Sequence, residues 1–430
     1  MGGKSEMSGI PKGYKKTEVG VIPEDWDVKR LGDLTTSTTG GTPSTNVLEY
    51  WGGSIPWMSS GDLHLKQIYN VNGRITQIGL ENSSAHIIPK NCVLIGLAGQ
   101  GKTRGTAAIN RIPLCTNQSI GAILPKNTFS SDYLFYVIDS MYEHLRSLSS
   151  GDGGRGGLNL NILNHIVVSL PNFTEQKAIA EVLSDMDALI EAQKELIAKK
   201  RYIKQGTMED LLSGRVRLPG YETKGWKHTD IGDIPNDWEV SQIGKIADII
   251  SGGTPKTTEK SFWNGTILWC TPTDITRTSG RYIENTEKTI TDNGLKNSSA
   301  ILLPINSLLL CSRATVGDVR IAKHEITTNQ GFKSLVCNSS AYYLFIYYLI
   351  PFLKPKMLEK SYGSTFLEIS KSNLASIQIQ LPSYVEQQAI AEVFSDMDDE
   401  IETLEAELKK LNHMKRGMMQ ELLTGRIRLI

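Results

Sequence analysis

The sequence is written twice. GVIPEDW at 20–26 returns as GDIPNDW at 232–238, GGTP at 40–43 returns at 252–255, and IAEVLSDMD at 179–187 returns as IAEVFSDMD at 390–398. Between these lie NSSA at 82–85 and 297–300, TNQ at 116–118 and 328–330, and YLF at 133–135 and 343–345, always in the same order. The offset stays near 211 residues (390 minus 179). Solenoid repeats are about 20–50 residues long, so a period of this size means a duplicated domain. The fold must therefore consist of two similar globular modules, each followed by the segment that ends its copy.

Those ending segments, 174–213 and 385–424, contain no proline. In the second, Phe394, Met397, Ile401, Leu404, Leu408, Leu411, Lys415, Met418 and Leu422 alternate at steps of three and four, the seam of a coiled coil. The matching seam in the first is Leu183, Met186, Ile190, Gln193, Ile197, Lys200, Lys204, Thr207 and Leu211, polar in its later half. Such helices reach roughly 60 Å at about 1.5 Å per residue. Asn172 with Glu175, and Ser383 with Glu386, have capping-box spacing, while Gly214 and Gly425 stand where a left-handed C-terminal glycine ends a helix. The second helix opens acidic (Glu392, Asp396, Asp398, Asp399, Glu400, Glu402) and the first closes basic (Lys199, Lys200, Arg201, Lys204). An antiparallel pair sets these clusters opposite each other, whereas a parallel pair would align acid with acid; with the duplication this predicts an intrachain antiparallel pair, the alternative being that both clusters are solvated helix faces.

Within the modules, short apolar runs at 92–97, 166–170, 307–311 and 377–381 read as strands, and 131–147 and 341–359 read as helices. The expected class is α+β (mixed α/β): modules at 1–170 and 218–381, spacer helices at 171–217 and 382–430. A hydrophobic fraction of 40% with 21% charged residues fits a soluble globular chain. The longest aromatic-aliphatic run, 342–352, is half a membrane span and contains Pro351, and the first residues are too polar for a signal peptide. Five scattered cysteines (Cys92, Cys115, Cys270, Cys311, Cys337) without C-x-x-C spacing predict buried thiols in the cytoplasm rather than disulfides or zinc. Forty-six basic residues balance forty-six acidic ones, so a DNA-binding role calls for partners that supply positive charge.

Two glycine motifs invite cofactor readings. GDGGRG at 151–156 matches G-x-G-x-x-G but precedes a loop and strand rather than a helix, and its twin segment lacks it. GLAGQGKT at 96–103 is a literal G-x-x-x-x-G-K-T, a phosphate loop if a helix follows. The second copy has CSRATVG here instead. No Pro-Pro loop of an amino-methyltransferase is present, and the acid-x-Lys pairs at 222–224 and 407–409 lie in a linker and on a coiled-coil helix. Trp51, Trp57, Trp263 and Trp269 read as core rather than as base-stacking platforms, and TNQ reads either as a turn or as amides able to pair with adenine.

Taken together, the Ile-Pro-x-Asp-Trp and GGTP openings, the Leu-Pro, Glu-Gln and IAEV segments and the Leu-Leu-x-Gly-Arg ends resemble the specificity subunit of type I restriction-modification systems, in both halves. The resemblance implies a non-catalytic subunit whose modules each read half of a split site in double-stranded DNA, with the helices as spacers. It also implies two modification (methyltransferase) subunits using S-adenosylmethionine and ATP-driven restriction subunits as partners, and no cofactor, metal or membrane contact in this chain. Candidate DNA contacts are Lys102, Arg104 and Arg155 in one divergent set of loops and Arg277, Arg281 and Arg313 in the other, followed by Asn117, Gln118, Asn329 and Gln330. Gln193, Lys200 and Lys204 are the candidate docking positions. Two other readings stay open: a coiled-coil scaffold for proteins alone, and a nucleotide-binding protein acting through 96–103.

Overall fold

Of the four apolar runs, 92–97 and 307–311 supply the middle strand of a five-stranded sheet in each module, whereas 166–170 and 377–381 pair separately with Asp27–Arg30 and Glu239–Gln242. The computed structural model describes residues 10–99, 101–148, 157–222, 225–363 and 367–429. In the first module the sheet order is Ser37–Thr39, Ile120–Ile123, Val93–Gly96, Ala107–Asn110, Gln67–Ile68, antiparallel except for the last pair. The three central strands are buried on both faces. Alternation explains how: Val93, Ile95, Ala107 and Ile109 join one core with Tyr133 and Phe135, while Leu94, Ala108, Ile120 and Ala122 join another with Met58 and Leu63. The second module repeats the sheet as Ala247–Ser251, Lys333–Cys337, Leu308–Leu310, Val319–Ala322, Tyr282–Ile283.

A second, three-stranded sheet in each module is built on a long strand, Trp51–Met58 or Trp263–Cys270. Each pairs in parallel with the strand carrying the start of TNQ, Cys115–Thr116 or Ile326–Thr328. The same irregularity in register, at Trp51/Ile55 and Trp263/Ile267, recurs in both copies. The helix expected over 131–147 is divided into Ser131–Ser140 and Tyr142–Leu148, whereas its counterpart runs unbroken over Tyr343–Glu359 with Pro351 and Pro355 inside it.

The two long helices span Phe173–Ser213 and Tyr384–Leu422. Asn172 Oδ1 and Ser383 Oγ accept from the N–H groups of Glu175 and Glu386, as the capping spacing predicts. The reciprocal half of the box is replaced: both glutamates turn inward, for a reason given below. Gly214 and Gly425 have φ of +74° and +68°, the left-handed C-terminal conformation. A Cβ on either would also lie 2.5 Å from a proline ring, Pro235 and Pro23 respectively, so two independent constraints select glycine there.

Chain contacts divide the molecule into two units, Met1–Lys194 with Ala406–Ile430, and Glu195–Glu405. Each unit holds one module and a length of antiparallel helix pair. In the first, Gln193 Nε2 donates to Glu407 at 3.1 Å and Lys415 Nζ lies 2.5 Å from Asp187. In the second, Lys200 pairs with Glu400 at 2.5 Å, Arg201 with Glu405 at 2.6 Å, and Lys204 with Asp398. The acidic and basic clusters do meet. Exposed pairs of this kind contribute about 0–1 kcal/mol each, so they select the antiparallel orientation more than they stabilise it. Seam residues Leu183, Ile190, Ile197, Leu211, Phe394, Ile401 and Leu422 are buried and supply the stability.

All five cysteines are free thiols, four of them buried. Burial pushes the Cys92 and Cys337 thiols up to about 12 and those of Cys115 and Cys311 up to about 11, which suppresses the reactive thiolate. Among the described residues no helix is long and apolar enough to cross a membrane, and no group of three or more His, Cys, Asp or Glu is placed to hold a metal ion.

Candidate nucleic-acid interface

Three of the duplicated motifs, far apart in sequence, converge on one place in each module. The GGTP loop lies directly over TNQ and NSSA. Gly41 N–H donates to Thr116 O at 2.8 Å, and Gly253 N–H donates to Thr328 O at 2.8 Å. A Cβ on Gly40 would sit 1.8 Å from Thr116 O, and one on Gly41 would sit 2.2 Å from Ser84 Oγ of NSSA. The copies Gly252 and Gly253 meet Asn329 O and Ser299 Oγ at 2.1 and 2.3 Å. Only glycine permits so close an approach.

Tryptophans buttress the loop from behind. Trp57 Nε1 donates to Gly41 O at 3.0 Å and Trp269 Nε1 to Gly253 O at 2.9 Å. Each is packed edge-on against a second indole, Trp51 or Trp263, with ring centroids 5.0 Å apart. These rings therefore hold the loop in place. At the exposed front, Thr42 Oγ1 donates to Gln118 Oε1 at 2.6 Å and Thr254 Oγ1 to Gln330 Oε1 at 2.5 Å. Asn117 Oδ1 accepts from Ser119 N–H at 3.2 Å, and Asn329 Oδ1 from Gly331 N–H at 2.9 Å. The turn reading of TNQ describes the structure: the asparagine amide oxygens accept within the turn, and Gln118 and Gln330, their oxygens bonded to Thr42 and Thr254, are exposed beside it.

The charged candidates are dispersed rather than gathered. Lys102 is exposed and Arg104 half-buried in the connection between Val93–Gly96 and Ala107–Asn110. Arg155 lies outside the described residues, as does the 151–156 motif. Arg277 pairs with Glu287, and Arg313 Nη2 bonds Glu368 at 2.7 Å. Arg281 turns toward the second long helix: it donates to Ser395 Oγ at 2.7 Å and Tyr348 Oη at 3.1 Å and pairs with Asp399. The docking candidates Gln193, Lys200 and Lys204 bond Glu407, Glu400 and Asp398 across the helix pair.

Sequence reasoning passed over two further duplicated clusters. Tyr136 Oη donates to Asp187 at 2.8 Å, with Lys415 on the same carboxylate; Tyr348 Oη donates to Asp398 at 2.7 Å, with Lys204 there. Burial, reinforced by the neighbouring aspartate, raises both phenols and keeps them as donors. Each triad fastens the module helix to the spacer pair. Next, Glu175 and Glu386, almost wholly buried, accept from Trp26 Nε1 at 3.2 Å and Trp238 Nε1 at 3.1 Å. Arg428 closes on Glu175 and Asp25, and Arg217 on Glu386 and Asp237, from the segments that follow the long helices. This is where the capping-box glutamates went. The recurrence of Glu-Gln with Ile-Pro-x-Asp-Trp was the available signal.

A family model described as type I restriction modification DNA specificity domain matches residues 23–199 and again 235–413. The chain belongs to that family. It is a type I specificity subunit with two recognition domains. The MjaVIII specificity subunit of Methanocaldococcus jannaschii is 26% identical over 423 residues, 95% of this chain and 94% of that one. The MjaIX specificity subunit of the same organism is 40% identical over 207 residues, 47% of this chain and 46% of the relative, so that match spans about half of each. The EcoR124I/EcoR124II specificity subunit of Escherichia coli is 29% identical over 200 residues, 46% of this chain and 48% of that protein. The fold is shared with the type I S subunit crystal structure from M. genitalium (TM-score 0.56, 16% identity, 92% of this chain and 96% of that one). It is shared also with a chain from a study of complex assembly and conformational transition of the type I R-M system (TM-score 0.58, 17% identity, 94% and 99% covered).

In this specificity subunit the GLAGQGKT segment does not form a phosphate loop. A phosphate loop must open a helix, whereas here Gly96 and Gly105 bond to each other's neighbourhood (Gly105 N–H to Gly96 O, 2.9 Å) and the chain returns as the antiparallel strand Ala107–Asn110. The chain after 96–103 enters a strand and not a helix, so the nucleotide reading is not favoured.

Proposed function

We propose that each module of this specificity subunit reads one half of an asymmetric, bipartite site in double-stranded DNA, and that the chain does so without catalysing a reaction. The observation that carries this is the same GGTP–TNQ cradle in both modules beside loops that differ, 96–105 against 311–317: one scaffold, two readers. Lys102 and Arg104 in the first module, and Arg277 and Arg313 in the second, are the proposed contacts to bases and phosphates, together with Arg155, which lies outside the described residues. Arg281 acts by positioning, through its bonds to Ser395 and Asp399.

Methyl transfer from S-adenosylmethionine and ATP-dependent cleavage reside in partner modification and restriction subunits in the cytoplasm, and this chain holds no cofactor of its own. Two methyltransferase subunits dock on the duplicated surfaces. On the second unit, Leu196 and Ile203, seven residues apart and so on one face of the first long helix, are exposed at 37 and 41%, and Tyr202, about 100° round the helix, at 81%, apolar surface suited to a protein neighbour. Lys200 and Lys204, committed to intrachain carboxylates, contribute to docking by fixing the register of the helix pair, as does Gln193.

Co-expression with the cognate modification subunit in a host lacking it, followed by mapping of methylated bases, tests this reading. A split motif with an unread gap should appear only when the chain is present. Methylation that is absent, or unchanged by omitting the chain, would leave the protein-scaffold reading in its place.

A further inference from the structure

The cradle does the same thing in both modules, yet the loops beside it differ. A task common to two unlike half-sites does not depend on their base sequence. The amide chemistry narrows it further. Bidentate pairing of Asn or Gln with adenine needs the amide oxygen and nitrogen side by side at the base edge. Here Thr42 and Thr254 hold the glutamine oxygens against the GGTP loop, and Ser119 and Gly331 N–H groups hold the asparagine oxygens inside the turn. What each module presents outward is the NH2 end of exposed Gln118 or Gln330, with half-buried Asn117 or Asn329 beside it. Donors alone, on a loop backed by glycine and indole, match an acceptor-only ligand.

We infer that Asn117 with Gln118, and Asn329 with Gln330, form one neutral phosphate clamp per module, gripping the DNA backbone of each half-site instead of reading its bases. The inference rests on the bipartite-DNA reading above and assigns the chemistry of one part of it. Asn and Gln amides are ordinary donors to phosphate oxygens, and such contacts fix register without carrying sequence information. A neutral clamp also suits a chain whose 46 basic and 46 acidic residues cancel.

The test uses the full chain assembled with its modification subunits and a duplex containing the mapped site. Gln118→Glu and Gln330→Glu are isosteric and keep the carbonyl oxygen that Thr42 or Thr254 bonds, exchanging only the outward NH2 for an anion. Each should weaken binding about ten-fold or more, the loss of a charge-assisted hydrogen bond with repulsion added. The loss should be equal on the cognate duplex and on one with a scrambled half-site, and the mapped motif should be unchanged. A walk of neutral methylphosphonate linkages through the duplex should find one position per half-site that weakens the wild-type complex and restores binding by the corresponding Glu variant. Unchanged melting and co-purification with the modification subunits confirm that the variants fold. A change in any base of the motif, affinity within two-fold of wild type for both variants, or no rescuing linkage would overturn the clamp alone. A wild-type complex that binds no split site would overturn the reading beneath it.

Discussion

Replacing Arg428 with alanine should destabilise the first unit by about 3–5 kcal/mol, the cost of stripping a buried carboxylate of its cation. Glu175 is 0% exposed, and its oxygens accept from Arg428 Nε at 2.6 Å, Arg428 Nη2 at 2.9 Å and Trp26 Nε1 at 3.2 Å. Without the guanidinium, the indole N–H is left to face a full negative charge in the core. Hydrogen exchange should show faster opening of the Val93–Gly96 strand, with Leu308–Leu310 in the other unit protected as before. Arg217→Ala should do the reverse, because Glu386 and Trp238 repeat the cluster. Adding Glu175→Gln to Arg428→Ala should recover part of the loss, since a neutral amide leaves no buried charge. A loss below about 1 kcal/mol in the single variant would mean that water compensates the carboxylate. The outer arm of the clasp has its own pH dependence. The hydrogen bond from Arg428 holds the Asp25 carboxyl below its ordinary value of 3.8, so its contribution is complete above that pH and disappears as the pH falls through the depressed pKa.

Removing one heptad from each long helix should change the DNA motif itself. Residues 194–200 and 400–406 lie between the Gln193–Glu407 bond and the Lys204–Asp398 pair; removing them takes out the Lys200–Glu400 pair and the Glu405 partner of Arg201, but a seven-residue deletion preserves the seam on both helices. Each helix then shortens by about 10 Å. If the helices set the unread gap, the mapped gap should contract by about 3 base pairs, at about 3.4 Å each, with both half-sites intact. A deletion of three or four residues should instead rotate the seam and abolish methylation. A gap unchanged after the heptad deletion, in a complex that still methylates, would contradict a spacer role for the helices.

The long helices were legible because periodicity is local information. The seam, the cap residues Asn172 and Ser383, the glycines at 214 and 425 and the opposed charges each declare themselves within a few residues, and the structure placed them accordingly. The central strands were legible for the same reason. What stayed hidden depends on partners distant in the chain. Nothing near Glu175 announces Arg428, 253 residues away, and the capping-box rule pointed its carboxylate at its own helix instead. Arg281 reads locally as one more loop arginine, although its neighbours in space are Ser395 and Asp399. The division of the helix near Ser140 was hidden too, for the sequence around it has no proline or glycine. The cradle was half visible: GGTP, NSSA and TNQ were each found as repeats, but their convergence is a property of the sheet topology that brings Cys115–Thr116 beside Trp51–Met58.

The account's central claim is that one module reads one half-site. Exchange of residues 1–170 for the corresponding module of another type I specificity subunit, with mapping of methylated sites in the resulting strain, measures it directly. The prediction is a motif in which one half changes to that of the donor, while the other half and the gap stay as they were. Both halves changing together, or neither, would contradict it.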